Sequence, residues 1–175
     1  AALVAPFINL LEPDSSEDVQ AAAATALGKF AMLAALNKLR SSYMVRLCQA
    51  LLGVISDKNR SVEVRRRALE AVAPLTLPQV EEAIREAYQS HNRKLKISAI
   101  YAMGKNCDRS WLPILLTELA SPDAEIRYEV TVACGELGEE AVIPHLIELS
   151  SDLDIDVQVT ALQALGKIGG SEAKE

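Results

Sequence analysis

Two histidines, three cysteines and three Gly-Lys dipeptides are the residues from which this chain could assemble a reaction centre. His91 is followed by Asn92 and His145 by Leu146, so neither belongs to a pair at metal-ligand spacing with a second shell around it. Cys48, Cys107 and Cys134 have no CxxC spacing and leave an odd thiol under any pairing. No GxSxG elbow or glycine-rich phosphate loop occurs, and no Ser or Cys has a His and an acid placed in register with it. Gly28-Lys29, Gly104-Lys105 and Gly166-Lys167 recur at one place near expected helix ends, which marks a repeat and not a phosphate site. These residues predict a chain that is not an enzyme, with no catalytic residue, metal or cofactor.

The elements that would position any site are written as a period. Val64, Leu95, Ile126 and Val157 stand 31 residues apart, and Ala71, Ala102, Ala133 and Ala164 follow each by seven. An earlier copy anchors at Val19, with Ala26 in the alanine column, one period plus 14 residues before Val64. Positions zero, four, seven, eight and eleven after each anchor are apolar, which is one face of a helix. Three residues before the anchors stand Ser16, Ser61, Asn92, Asp123 and Asp154, all good N-caps. Gly138 and Gly169 stand just past the apolar stripe, where a left-handed residue closes a helix. Pro6, Pro113 and Pro144 lie 13 residues before their anchors and suit the first turn of a preceding helix.

Such a period predicts an all-α superhelix, a solenoid of five two-helix repeats, because one helix pair cannot bury its apolar face alone. The repeats run about 1–31, 46–76, 77–107, 108–138 and 139–169 within a single domain over 1–175. Residues 32–45 are an insertion that lengthens the flanking helices around a turn near Asn37–Ser42. Small residues at positions seven and nine, among them Gly28, Gly104, Gly135 and Gly166, predict close approach of helix axes. Cys134 falls in the column of Leu27, Val72, Met103 and Leu165 and reads as a small core residue. Trp111 reads as packing between first helices. No stretch reaches the 18 or more apolar residues of a membrane span, and no basic-then-apolar leader opens the chain. A reducing, cytoplasmic setting is expected. The chain opens without Met inside an expected helix, as a segment of a longer repeat protein would.

Charge is uneven. Residues 58–105 hold ten Lys or Arg against five Asp or Glu, and the rest hold eight against nineteen. The flanking acidity argues against nucleic acid. The column at position one, Gln20, Arg65, Lys96, Arg127 and Gln158, is expected to pair with acids of adjacent turns as a ladder. Positions two, three, six and ten lie off the core stripe, and there a solvated face would carry Glu, Lys and Gln. Instead the middle repeats place Arg66, Arg67, Ile97, Tyr101, Lys105, Tyr128 and Val132 there. Tyr and Arg are enriched at binding hot spots, so these seven are the candidate partner-binding residues.

The runs DVQAAAATALGKFA (18–31), EIRYEVTVACGELG (125–138) and DVQVTALQALGKIGG (156–170) resemble HEAT-like repeats of the short, phycobilisome-lyase type. Repeats two and three depart from the pattern at Ala73, Pro74, Lys94 and Asn106. The resemblance implies second helices lining a concave groove, in which the seven candidates would lie. A metalloenzyme branch, resembling deoxyhypusine hydroxylase, uses His-Glu pairs as metal ligands, and neither histidine here has a Glu beside it. The reading is a non-catalytic scaffold that binds a protein or peptide, an acidic one suiting the Arg-Tyr patch, in a preformed groove. The alternatives are an enzyme or enzyme subunit of bilin lyase or isomerase type, and nucleic-acid backbone binding like that of HEAT-like DNA glycosylases. The bland N-terminal surface Ala21–Ala24 adds an expectation of further repeats or of self-association through an end.

Overall fold

The computed structural model describes residues 3–13 and 15–169. Ten α-helices follow in order: α1 Val4–Asn9, α2 Glu17–Ala35, α3 Ser41–Ser56, α4 Val62–Val72, α5 Pro78–Tyr88, α6 Arg93–Asn106, α7 Leu112–Glu118, α8 Ala124–Leu137, α9 Ile143–Leu149 and α10 Ile155–Gly169. Single 3₁₀ turns, Arg109–Trp111 and Glu140–Val142, lead into α7 and α9. No strand occurs among the described residues. The fold class is the all-α helical-repeat solenoid.

The caps are local and act as the sequence implies. Ser16 and Ser61 accept the amides of Val19 and Val64, each at 3.4 Å. Asn92, Asp123 and Asp154 accept the amides of Lys94, Glu125 and Asp156 at 3.0, 3.0 and 2.9 Å. Pro113 and Pro144 stand in the first turns of α7 and α9, where a missing amide costs nothing. Gly138 closes α8 with φ 72°. Gly169 does not play that part; it is the last helical residue of α10. Cys107, one period before Gly138, takes the left-handed turn after α6 with φ 55°, and Asn37 does so after α2 with φ 56°. Cysteine in that conformation gives no sequence signal, because only Gly and Asn adopt it cheaply.

Two compact units divide the chain, Ala1–Ala102 and Met103–Glu175. In the N-terminal unit α2 packs along α4, with α1 against α2 and α3 against α4. In the C-terminal unit α8 packs along α10, with α7 against α8 and α9 against α10. The small columns set these approaches. A Cβ added at Gly28 would lie 3.3 Å from Ala71 Cα; at Gly135, 3.0 Å from Ala164 Cβ; at Gly104, only 2.7 Å from Ala133 Cα. The core is aliphatic, with Leu27, Leu47, Leu51, Leu69 and Ile84 fully buried in the first unit. Cys134 is fully buried in the second, and burial pushes its thiol up to about 12, so it serves as a core residue and not as a nucleophile.

Asn106 stands in a column that is otherwise apolar, and the structure supplies its reason. Trp111 is fully buried, and its Nε1–H donates to Asn106 Oδ1 at 3.0 Å. A buried indole needs an acceptor, and position eleven of the preceding helix provides one.

The column at position one departs from the expected ladder of acids. Gln20 donates to the carbonyl of Ser15 at 2.6 Å, Arg65 to that of Ile55 at 2.9 Å and Arg127 to that of Ser121 at 2.8 Å; Gln158 donates to the carbonyl of Asp152. Each side chain thus reaches back to the turn, or the helix end, that precedes its own helix. Arg127 also meets an acid of the next repeat, holding both Asp152 oxygens at 2.7 and 2.8 Å. That contact draws Asp152 below the usual carboxylate range. A lowered folded-state value stabilises above the ordinary value of 3.8 and is lost as pH falls through the folded one. Asp152→Asn is therefore expected to cost about 1–2 kcal/mol at pH 7. Urea denaturation should show the gap to wild type closing as the pH falls below 3.8.

Candidate functional site

The seven candidate residues fall into the two units. Arg66 and Arg67 on α4 lie in the N-terminal unit, as do Ile97 and Tyr101 on α6; Lys105, Tyr128 and Val132 belong to the C-terminal unit. Ile97, Tyr101 and Val132 are half-buried and Tyr128 is exposed. The basic pair is not available as a free cationic patch. Arg66 meets Glu63 at 2.7 Å and Glu70 at 2.9 Å, and Arg67 meets the same two carboxylates at 2.8 and 2.9 Å. Ser98, buried on α6, donates to Glu70 at 2.6 Å. Burial pushes Glu63 up, but the two guanidiniums outweigh it and hold the carboxyl below its usual range. Two positive and two negative groups within hydrogen-bond reach cancel at a distance. Glu63 and Glu70 sit one turn either side of the arginines, so helical spacing alone could have shown this.

Lys105 is likewise engaged. Glu136 stands between Lys105 at 3.3 Å and Lys167 at 3.0 Å. Tyr128 borders a hollow of about 240 Å³ with Glu125, Asp154 and Asp156. Those acids give Tyr128 surroundings of the wrong sign for an acidic ligand.

An open pair of cations lies elsewhere in the N-terminal unit. A cleft of about 560 Å³ is floored by Ile55, Leu69, Ala83, Ala87 and Leu95 and edged by Ser56, Lys58, Arg65, Glu86, Gln89 and Ser90. A neighbouring hollow of about 380 Å³ shares Ile55, Ser56, Ala83 and Glu86 and adds Gln79 and Glu82. Arg65 is steered by its bond to the Ile55 carbonyl, and neither Arg65 nor Lys58 has a carboxylate partner among the described residues. An apolar floor beside two unpaired cations suits a ligand with an apolar body and a carboxylate or phosphate. Sequence reasoning missed this cleft because Arg65 was assigned to a ladder and Lys58 was not singled out.

Among the described residues no group of three His, Cys, Asp or Glu is placed to hold a metal ion. The residues do not fit a metal centre of the His-Glu kind.

Residues 112–175 match the family described as HEAT repeats. The chain is 30% identical over 122 residues to deoxyhypusine hydroxylase of Drosophila melanogaster, covering 69% of this chain and 40% of the fly protein. It is 32% identical over 81 residues to the enzyme of that name from Neurospora crassa, covering 45% and 25%. The chain thus spans two-fifths or less of the curated relatives it matches. In the complex of CpcE and CpcF of phycocyanin lyase from Nostoc, a chain superimposes with a TM-score of 0.69 at 17% identity, over 97% of this chain and 66% of that one. That likeness concerns the fold. These findings overturn two expectations, the non-catalytic scaffold and the chain that is not an enzyme, because its sequence relatives are named as enzymes. The error lay in equating missing metal-ligand pairs with missing catalysis. A repeat segment can serve an enzyme without holding the reacting centre.

Proposed function

This chain is a HEAT-like repeat protein, and from that premise we propose that it is a segment or subunit of an enzyme akin to deoxyhypusine hydroxylase. The identity of 30% over 122 residues carries the reading. Its 175 residues form one repeat domain, with repeats at about 1–31, 46–76, 77–107, 108–138 and 139–169 and the insertion at 32–45. The part played by the described residues is substrate recognition: the cleft at Lys58 and Arg65 takes an acidic group of a protein or peptide substrate. Groups for the reaction itself would come from outside the described residues. Ile97, Tyr101, Tyr128 and Val132 contribute contact surface in their own units, while Arg66, Arg67 and Lys105 hold that surface in shape through their ion pairs. Association of copies of this chain is a separate proposal, supported by exposed apolar side chains on α2 and α10, Val19 and Leu162 among them. The three thiols are unpaired, which suits a cytoplasmic setting, and no helix among the described residues is long and apolar enough to cross a membrane.

The test is a turnover assay on the full-length gene product. A peptide bearing deoxyhypusine is incubated with divalent metal, oxygen and a reductant, and gain of one oxygen atom is followed by mass spectrometry. Lys58→Ala with Arg65→Ala is expected to lower kcat/KM about tenfold, the worth of about 1.4 kcal/mol, mainly through KM. No product above the protein-free control, whichever divalent metal is added, would overturn the enzyme reading. Unchanged KM in an active double variant would remove the cleft from it.

A further inference from the structure

Arg65 and Arg127 hold the same place in their helices, one residue past the anchors Val64 and Ile126. Both donate to a carbonyl, that of Ile55 at 2.9 Å and that of Ser121 at 2.8 Å. They differ in what stands on the far side. The guanidinium of Arg127 also holds both oxygens of Asp152, five residues before the next anchor, and the pair is well shielded, its side chains 15% and 7% exposed. Five residues before the anchor that follows Arg65 stands Ser90. The two turns match, because Ser90 Oγ accepts the amide of Asn92 at 3.1 Å as Asp152 Oδ1 accepts that of Asp154 at 2.8 Å. A serine makes the turn bond but brings no carboxylate.

Room remains where the acid would stand. The cleft of about 560 Å³ is bordered by Arg65, Gln89 and Ser90, between the pairs α3–α4 and α5–α6 of the N-terminal unit. Arg65 uses Nε for the Ile55 carbonyl, so Nη1 and Nη2 have no hydrogen-bond partner among the described residues. Lys58 adds a second cation, and Glu86, also on the rim, forms an ion pair with neither. At α2 the same column is completed from within, Gln20 Oε1 accepting from Arg60 at 2.7 Å. On α4 the guanidinium keeps two parallel donors, the fork that fits a carboxylate.

We propose that the cleft seats the side-chain carboxylate of an aspartate or glutamate in a peptide on Arg65, as Asp152 of this chain seats its own on Arg127. Apolar neighbours of that acid lie on Leu69, Ala87 and Leu95, and Lys58 closes over the charge. This rests on the substrate-recognition role proposed for the cleft, and names what the substrate must carry there. The molecule supplies the template for the ligand, since one turn holds internally what the equivalent turn lacks.

Titration of the whole ¹⁵N-labelled chain with acetyl-Leu-Asp-Leu-amide, followed by NMR, tests this. Saturable shifts are expected at the Arg65 Nε–H and at the amides of Gln89 and Ser90, and the Asn version of the peptide should bind at least about tenfold more weakly. Ser90→Asp keeps the turn acceptor and installs the missing acid, so it should weaken the peptide by about tenfold or more, with the circular dichroism spectrum unchanged. Arg65→Gln should do the same, and Ser90→Asp decides the matter if that variant fails to fold. No saturable shift at several millimolar peptide, equal binding of the Asn peptide, full affinity in Ser90→Asp, or inorganic phosphate binding more tightly than the peptide would each overturn the proposal. None of these readouts needs turnover. A chain that binds the acid without hydroxylating anything keeps the site and loses the enzyme reading, and an active chain that ignores the peptide does the reverse.

Discussion

Trp111→Ala is expected to cost about 3–5 kcal/mol, the usual loss when a large aromatic leaves a core that cannot collapse. Trp111 is fully buried, and its indole N–H is satisfied by Asn106 within the same unit. Removing the ring leaves two defects, a cavity and the loss of the indole's hydrogen bond to Asn106, which is itself buried. Asn106→Leu tests the second defect from the other side. It removes the acceptor but keeps the volume, so the indole loses its hydrogen bond to Asn106 at a cost of about 1–3 kcal/mol. Trp111→Phe in the Asn106→Leu background should recover part of that loss, since neither partner then wants a hydrogen bond. Guanidinium denaturation of the four proteins gives the comparison. Equal midpoints for wild type and Trp111→Ala would mean that the ring is not where the structure has it.

The same glycine substitution should change sign along the chain. A Cβ at Gly104 would stand 2.7 Å from Ala133 Cα, a backbone atom that can move only with its helix. Gly104→Ala is therefore expected to destabilise by about 1–2 kcal/mol, overpacking of about 1–3 kcal/mol outweighing the roughly 0.5–1 kcal/mol that a helical Gly→Ala change returns. At Gly53, inside α3, an added Cβ meets nothing within 4 Å, so Gly53→Ala should keep the gain and stabilise by about 0.5–1 kcal/mol. Ala133→Leu attacks the Gly104 contact from the opposite helix and is expected to cost about 1–3 kcal/mol. Thermal melts that rank Gly53→Ala above wild type, and Gly104→Ala and Ala133→Leu below it, support the register. An unchanged midpoint for Ala133→Leu would undo it.

What was legible in the sequence was what is local or periodic. The anchors, the N-caps at Ser16, Ser61, Asn92, Asp123 and Asp154, and the close Gly–Ala columns all follow from spacing that the chain repeats. What escaped depends on partners brought from elsewhere or on departures from the period. Asn106 looked like a flaw until Trp111 supplied the donor. Cys107 gave no sign of its left-handed backbone, because nothing in a cysteine announces it. Arg66 and Arg67 looked like a cationic anchor, although Glu63 and Glu70 sat within one helical turn. The enzyme relationship could not come from side-chain chemistry in this segment at all. It came from overall similarity to proteins of which the matched part is two-fifths.

The side chain one residue past each anchor bears on how the molecule comes apart. Gln20, Arg65, Arg127 and Gln158 each clamp a carbonyl of the turn or helix end before their own helix. A clasp that ties a second helix to the turn before it, and for Arg65 to the helix before it, makes the pair, and not the single helix, the smallest piece that can yield. Fraying from either end should then advance in steps of about one period. Native-state hydrogen exchange would record it as blocks of some thirty amides opening together, each at its own free energy, with no weak seam at the turns.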